Sequence, residues 1–207
     1  MPAPPAPRLY LVTPLVLSAP FERELAGLLD AFDIACLRLS LAGTAPDAIR
    51  RAAGPLRALC HARDVSMVIA DHYRLAPELG LDGVHLLDGA RSVRAARQHL
   101  GPEAIVGAFA RASRHEGMTA AEIGADYVGF GPVAASPLGG GAIAGPDLFA
   151  WWSQMIETPV IAEGGLTPEL AATLAGSADF IALGDELWSH PDGARAALAA
   201  IVARFSG

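Results

Sequence analysis

Two glycine-rich turns in the last third of the chain have the composition of a phosphate-binding site. In the segment AEGGLTPE, Gly164 and Gly165 come just before a Thr-Pro pair that suits the start of a helix. The segment ALGDEL repeats the arrangement with Gly184 and Asp185. Glycine lets the backbone approach a phosphate closely, and free N–H groups at a helix start can donate to it. Tight turns that need glycine for geometry alone are the alternative, but two successive segments carry the feature, which favours phosphate binding.

Polar residues inside or at the end of apolar segments form a second group of candidates. Arg38 lies between two leucines in IACLRLS, where packing explains an arginine poorly, so we interpret it as an anion-binding residue. Asp71 ends the segment SMVIAD and could either bind a metal ion or cap the short helix that follows. His85 in GVHLL has two interpretations, a hydrogen-bonded core histidine, which is the simpler one, and a catalytic acid or base.

Eight short apolar segments alternate with alanine-rich, helical segments along the whole chain and would position these residues. The apolar segments are LYLVT, IACLRLS, SMVIAD, GVHLL, AIVGAF, DYVGFG, PVIAEGG and DFIALG. Most are continuous rather than alternating, as expected for parallel strands that are covered on both faces. The pattern predicts one α/β domain over residues 1–207, a single (β/α)₈ TIM barrel, with a proline-rich tail at residues 1–7. An open doubly wound sheet is the structural alternative.

In a (β/α)₈ barrel the functional residues lie at the C-terminal ends of the strands. The candidates at or just after the C-terminal ends of the eight segments, in chain order, are Thr13, Arg38 with Ser40, Asp71 with His72, His85 with Asp88, Phe109 with Arg111, Gly131 to Ser136, Glu163 to Gly165, and Gly184 with Asp185. We therefore expect one site there, built from several loops.

Composition limits the classes of partner. The net charge is −7, and the fifteen basic residues are all arginines without a cluster, which disfavours nucleic-acid binding. Cys36 and Cys60 lie in apolar or helical segments without metal-ligand spacing, as ordinary reduced thiols do. Pro14 interrupts the apolar N-terminal stretch, and no segment reaches the roughly 20 apolar residues of a membrane span. We expect a soluble cytoplasmic protein; its oligomeric state, including a homo-oligomer, stays open.

Longer segments carry a family resemblance. LGLDGVHL, IVGAFARASRHEGMTAAEIGADYVGFGPV and TPVIAEGGLTPE occur in the order and spacing found in thiamine-phosphate synthases and the related thiazole tautomerases. The resemblance implies a (β/α)₈ barrel. For the synthases it implies that a hydroxymethylpyrimidine pyrophosphate is joined to a thiazole phosphate, with release of pyrophosphate and with Mg²⁺ neutralising the leaving group.

Matching the family residue by residue gives a divided result. The strand-two pattern Gln-x-Arg-x-Lys reads CLRLS here and keeps only Arg38, and the Asn-Asp pair after strand three keeps Asp71 as a metal ligand. Asp88 is the nearest substitute for a second metal aspartate. The loop after GFGPV keeps one hydroxyl, Ser136, where relatives have Thr-x-Thr-Lys. The AEGG phosphate turn matches. The resemblance thus implies an intact thiazole-phosphate site beside a depleted pyrophosphate–Mg²⁺ site.

Three functions follow from this division. The first is a synthase, with activity weakened by the lost contacts. The second is a non-catalytic protein that binds a thiazole phosphate or thiamine phosphate. The third is a tautomerase-like isomerase in which His85 is the acid or base.

Overall fold

A computed structural model describes residues 6–43, 45–136, 138 and 141–205. Eight parallel strands close into a barrel in sequence order, and β1 pairs with β8. The strands are β1 (Arg8–Val12), β2 (Ile34–Leu39), β3 (Ser66–Ala70), β4 (Gly83–Leu86), β5 (Ile105–Phe109), β6 (Tyr127–Phe130), β7 (Val160–Glu163) and β8 (Phe180–Leu183). The predicted (β/α)₈ barrel is confirmed, and the alternative prediction of an open doubly wound sheet is wrong. Residues 1–5 of the predicted tail lie outside the described residues.

Helices connect each strand to the next and cover the outside of the barrel. They are α1 (Phe21–Leu29), α2 (Pro46–His61), α3 (Ala76–Leu79), α4 (Val93–Leu100), α5 (Arg114–Glu122), α6 (Pro146–Met155), α7 (Pro168–Leu174), α8 (Asp185–Trp188) and α9 (Ala194–Val202). Sequence-local signals set several of their starts. The Ser113 hydroxyl accepts a hydrogen bond from the Glu116 N–H at 3.2 Å, and Thr167 does the same for α7.

The strands are buried on both faces, which explains their continuous apolar composition. Residues that face the helices join one large hydrophobic core, whereas those that face inward form a small separate cluster around Tyr10, Cys36 and Tyr127. A glycine makes room for the inward-facing Tyr127 side chain. A Cβ at Gly107 would lie 2.0 Å from the Tyr127 ring, so any other residue there would displace the tyrosine.

Aspartates repeat at the N-terminal end of the barrel. Asp82, Asp126 and Asp179 each precede a strand, and each carboxylate accepts a hydrogen bond from a backbone N–H of the preceding strand at 2.6–2.7 Å. These contacts hold neighbouring strands together at the N-terminal end of the barrel. In this fold that end contributes to stability, whereas the active site lies at the C-terminal end. The opposite end is therefore left for the site.

Two further sequence expectations concern cysteines and membranes. Cys36 and Cys60 are both buried free thiols, and burial raises the pKa of each to about 12. Among the helices of the described ranges, none is both long enough and apolar enough to span a bilayer.

Candidate active site

A cavity of about 380 Å³ opens at the C-terminal end of the barrel. Loops that follow six different strands contribute to its wall, which consists of Val12, Thr13, Pro14, Leu15, Arg38, Ser40, Leu87, Ser136, Leu138, Glu163, Gly164, Ala182, Gly184, Asp185 and Glu186. Of the sequence-predicted site residues, this wall brings together Arg38, Ser136, Gly164, Gly184 and Asp185. It does not include Asp71, His85, Asp88 or Gly165.

An ion pair between Arg38 and Glu163 forms the floor of the cavity. Arg38 Nη2 donates to Glu163 Oε2 at 2.6 Å, and the two side chains are only 4% and 3% exposed. Burial lowers the pKa of Arg38, but the Glu163 carboxylate, assisted by Tyr10 and Tyr127, outweighs burial and raises that pKa above its usual value. Because the two charges cancel, the floor is polar but close to neutral. Sequence reasoning placed Glu163 at a strand end without a role; a carboxylate inside an apolar strand was the missed signal.

His85 lies deeper in the barrel, in a short chain of hydrogen bonds. The Tyr127 hydroxyl lies 2.9 Å from His85 Nδ1 and 3.0 Å from the Tyr10 hydroxyl. Burial, reinforced by the charge of Arg38, holds the pKa of His85 well below its usual value, so the imidazole is neutral. Burial also raises the pKa of both tyrosines, which stay protonated. This environment matches a hydrogen-bonded core histidine, and a catalytic role for His85 stays a prediction.

The turn after β7 requires glycine at both positions. Gly164 and Gly165 have φ angles of +83° and +80°, which side-chain-bearing residues rarely adopt. A Cβ at Gly164 would lie 2.8 Å from Leu138 Cδ2, and one at Gly165 would lie 2.9 Å from the Ala134 carbonyl oxygen. Gly164 reaches the cavity, whereas Gly165 packs against the preceding loop. Turn geometry therefore requires glycine at both positions. The same turn also exposes the backbone of Gly164 on the cavity wall.

The turn after β8 carries two acidic side chains. Asp185 Oδ1 accepts a hydrogen bond from the Ser189 hydroxyl at 3.0 Å, so the predicted phosphate-site aspartate braces α8. Glu186 lies beside it and was not predicted. Burial raises the pKa of Glu186 and the nearby Glu163 charge adds to this effect, while the N–H groups of Glu186 itself, Leu166 and Gly184 oppose it. The Glu186 carboxyl group therefore lies beside the backbone N–H groups of the turn after β8.

The two predicted metal ligands lie on the β3–β4 side of the barrel. Asp71 has a φ of +58°, and its Oδ1 accepts a hydrogen bond from the Leu87 N–H at 2.7 Å. It lines a smaller cavity of about 80 Å³ that shares Ser40 and Leu87 with the main one. Asp88 Oδ2 accepts from the Ser92 hydroxyl at 2.7 Å, and its buried Oδ1 has no partner. Among the described residues no group of three or more His, Cys, Asp or Glu side chains surrounds one point.

The loop after β6 closes the main cavity on its other side. Ser136 Oγ accepts a hydrogen bond from the Leu138 N–H at 3.2 Å and would lie 3.0 Å from a Cβ at Gly164. Pro137, Gly139 and Gly140 of this loop lie outside the described residues. Leu138 also borders a neighbouring cavity of about 300 Å³, whose wall includes Arg111. Ser136 is therefore adjacent to the predicted phosphate turn.

The fold and the site define a class of protein: a (β/α)₈ barrel whose C-terminal mouth combines a glycine-built turn with a buried polar floor. The family model for thiamine monophosphate synthase matches residues 9–187. A thiamine-phosphate synthase of Rhodospirillum centenum is 43% identical, over 93% of this chain and 94% of the relative. One from Erythrobacter litoralis is 37% identical, over 96% and 95%. The chain belongs to the thiamine monophosphate synthase family, as the sequence resemblance predicted.

A solved structure extends the comparison to the fold. Thiamine phosphate pyrophosphorylase from Pyrococcus furiosus superposes with a TM-score of 0.82, covering 96% of this chain and 95% of that one at 22% identity. The barrel architecture is therefore shared over nearly the full length of both chains.

Proposed function

We propose that this chain is a thiamine-phosphate synthase that joins a hydroxymethylpyrimidine pyrophosphate to a thiazole phosphate and releases pyrophosphate. The observation that carries the proposal is that Gly164 of the glycine-built turn and the Arg38–Glu163 floor line the same cavity. Family membership over nearly the whole chain supports the same reaction. The relatives named above are synthases, and nothing in the site favours the binding-protein or isomerase alternatives over them.

The phosphate of the thiazole substrate is assigned to the turns after β7 and β8. Gly164 and Gly184 both line the cavity without a side chain, which lets a phosphate approach the backbone closely. The Gly184 N–H already contacts the Glu186 carboxyl group, so a phosphate there would compete with that side chain. Gly165 supports this assignment indirectly, because its close packing on Ala134 fixes the turn. Asp185 lines the cavity and accepts a hydrogen bond from Ser189 at the end of α8, and its part in the phosphate site stays a prediction. Ser136, next to Gly164, can donate its hydroxyl proton to a phosphate oxygen.

The pyrophosphate of the pyrimidine substrate is assigned to the opposite side, near Asp71. Mg²⁺ in such sites is held by one or two carboxylates together with water and substrate phosphates. Asp71 lines the smaller cavity and can supply one carboxylate of that donor set, whereas Asp88 lines neither this cavity nor the main one. When bound, Mg²⁺ would neutralise the charge that builds on the departing pyrophosphate. Since the chain has no lysine, arginine must supply any further cation, and Arg111 lines the neighbouring cavity.

The chain's own residues contribute positioning and exclusion of water. Arg38 is held by Glu163, so it cannot act as a free cation for an anionic group. The Arg38–Glu163 floor closes the inner end of the cavity, so water can approach the reacting groups only from the mouth.

A turnover assay tests the proposed function. Purified protein is mixed with both substrates and Mg²⁺, and thiamine phosphate is measured by chromatography at enzyme concentrations up to those of the substrates. We expect product that is abolished by chelation of Mg²⁺. Absence of product, with calorimetric affinity for thiazole phosphate retained, would replace the synthase with the binding protein.

A His85→Asn variant tests the isomerase alternative with the same protein preparation. Unchanged conversion of the thiazole in this variant would remove His85 as an acid or base.

The cytoplasmic location is also a proposal, supported by the two free buried thiols.

A further inference from the structure

The Glu186 side chain lies between the two turns that we assign to the substrate phosphate. Its carboxyl group is close to the backbone N–H groups of Leu166, in the turn after β7, and of Gly184, in the turn after β8. A Cβ at Gly184 would lie 4.0 Å from Glu186 Oε2. An acidic side chain of the protein itself therefore lies where a phosphate would meet donors from both turns.

The carboxyl group is held incompletely in this position. Glu186 Oε1 is buried and has no hydrogen-bond partner among the described residues. Native structures pair nearly all buried polar atoms, so an unpartnered oxygen on a residue of the cavity wall requires an explanation. A carboxyl group has two oxygens in one plane, whereas a phosphate ester has three tetrahedral oxygens to share among the N–H groups of two turns. The side chain is thus a poorer occupant than a phosphate.

The charges on the cavity wall oppose the binding of an anion. The charged side chains of its described residues are Arg38, Glu163, Asp185 and Glu186. Arg38 is the basic one, and Glu163 already neutralises it. Asp185 is exposed to solvent and accepts a hydrogen bond from Ser189, so its charge is screened. The partly buried Glu186 carboxylate is therefore the main source of repulsion.

Protonation of Glu186 removes both obstacles to phosphate binding. Burial and the nearby Glu163 charge already raise the pKa of Glu186, against the opposing effect of the surrounding N–H groups. A neutral carboxyl group accepts more weakly from N–H groups than a carboxylate does, and it does not repel an anion. Uptake of one proton therefore frees the donors and removes the charge at the same time.

We infer that Glu186 is a proton-linked competitor for the phosphate site: its carboxylate occupies the donors of the two turns in the free protein, and it takes up a proton from solvent when phosphate binds. The inference rests on the proposed function, which assigns the thiazole phosphate to these turns. Glu186 controls affinity in this arrangement and contacts no reacting atom, so it is not a catalytic residue.

Binding of a ligand with constant charge tests the inference without turnover. The probe is the sulfate ester of the thiazole alcohol, because its single negative charge does not titrate in the range where a glutamate does. Its affinity is measured by calorimetry as a function of pH. We expect the affinity to rise about three- to tenfold as pH falls through the raised pKa of Glu186, the range for one exchanged hydrogen bond. A flat profile, or an affinity that decreases as pH is lowered, overturns the inference.

A charge-removing variant assigns the pH dependence to Glu186. In Glu186→Gln the affinity for the sulfate ester should be independent of pH and, at neutral pH, about three- to tenfold above that of the wild type. A purely structural role at the start of α8 predicts an affinity that is unchanged or lower. Wild-type pH dependence retained in folded Glu186→Gln contradicts the inference, and the wild-type profile alone decides it if that variant does not fold.

Glu169→Gln is the matched control for the loss of one negative charge. Glu169 forms an exposed ion pair with Arg204 and does not line the cavity. The variant should keep the wild-type affinity and pH profile. A rise in affinity equal to that of Glu186→Gln would show that net charge, rather than the position of Glu186, governs binding, and would overturn the inference.

Proton uptake gives an independent readout with the phosphate itself. Thiazole phosphate is titrated into the wild type and Glu186→Gln in two buffers of different ionisation enthalpy, at the midpoint of the wild-type profile. The phosphate titrates equally in both experiments, so the difference in protons taken up belongs to Glu186. We expect greater uptake by the wild type, and equal uptake contradicts the inference.

The synthase assay separates failure of the inference from failure of the proposed function. Product formation with a flat affinity profile rejects the inference alone. Proton-linked affinity without product rejects the proposed reaction and keeps the competitor. Absence of affinity for thiazole phosphate in both proteins rejects the phosphate assignment and the inference with it.

Discussion

The floor of the cavity and the glycine turn beside it are built in opposite ways. The floor is made of side chains that meet across the barrel, as Arg38 and Glu163 do from strands 125 positions apart. The turn is made of backbone, and its two positive φ angles belong to adjacent glycines. A side-chain site depends on partners that compensate each other's charge, whereas a backbone site depends on the conformations a single residue type allows. The two regions should therefore fail differently when mutated. Two predictions test this difference, and two more concern the neighbouring Asp71 and Glu186.

The largest effect is expected from breaking the floor pair. Arg38→Met leaves the Glu163 carboxylate buried without its partner and should lower the free energy of unfolding by about 3–5 kcal/mol. Arg38→Met combined with Glu163→Leu should recover most of that loss, because a buried ion pair can be replaced by apolar side chains at little cost. Denaturant unfolding measures both.

An exposed pair provides the control for the floor. Arg50 contacts Glu78 at 2.8 Å on the surface, and Arg50→Met should cost less than about 1 kcal/mol. Equal losses of unfolding free energy in Arg38→Met and Arg50→Met would show that burial does not make the Arg38–Glu163 pair more sensitive than an exposed pair.

The turn should respond to a single methyl group. Gly165→Ala forces an L-residue into a positive φ and brings its Cβ against the Ala134 carbonyl, so we expect a loss of about 2 kcal/mol. No second mutation should rescue it, in contrast with the floor. Gly27→Ala in α1, where a Cβ meets nothing within 4 Å, should instead stabilise the protein by up to about 1 kcal/mol. Unfolding of Gly165→Ala at the wild-type denaturant concentration would contradict the assignment of strain.

The β3–β4 side should affect turnover more than stability. Asp71→Asn keeps the oxygen that accepts from the Leu87 N–H but removes the charge, so the synthase rate at fixed Mg²⁺ should fall about ten- to a hundredfold. Raising the Mg²⁺ concentration should restore part of the rate. Asp64→Asn is the matched control, since Asp64 also has a positive φ, of 56°, in the loop between α2 and β3 at the other end of the barrel. A similar rate loss in both variants would remove Asp71 from the site.

The smallest effect concerns the pH dependence of stability. Because the pKa of Glu186 is raised on folding, the native state binds more protons than the unfolded state above the ordinary glutamate pKa. Stability is therefore lost as pH rises from that value through the raised pKa, and Glu186→Gln should remove this loss. Unfolding measured across that range gives the slope.

Glu78 supplies a control of opposite sign for this slope. Its hydrogen bond to Arg50 lowers the pKa of Glu78, so its stabilising contribution is lost as pH falls through the lowered value. Glu78→Gln should remove that acid-side loss. Slopes that change in the same direction in the two variants would contradict the assignment for Glu186.

The sequence predicted features that depend on neighbouring residues. The eight strands followed from continuous apolar segments, and the turn followed from the Gly-Gly pair before a Thr-Pro cap. The strand-end rule for barrels then placed Arg38, Ser136, Gly164 and Gly184 at one cavity. It also gathered Asp71 and His85, although the structure puts Asp71 in an adjoining cavity and buries His85 below the floor.

The sequence by itself therefore determined the barrel, the family and the position of the backbone-built turn, because strand periodicity and glycine conformation are local properties. Only the tertiary structure decided that Arg38 is neutralised by Glu163 and that His85 faces the same carboxylate. These contacts arise where β2, β4 and β7 meet across the closed barrel. Their energies depend on burial and on partners that no short segment contains.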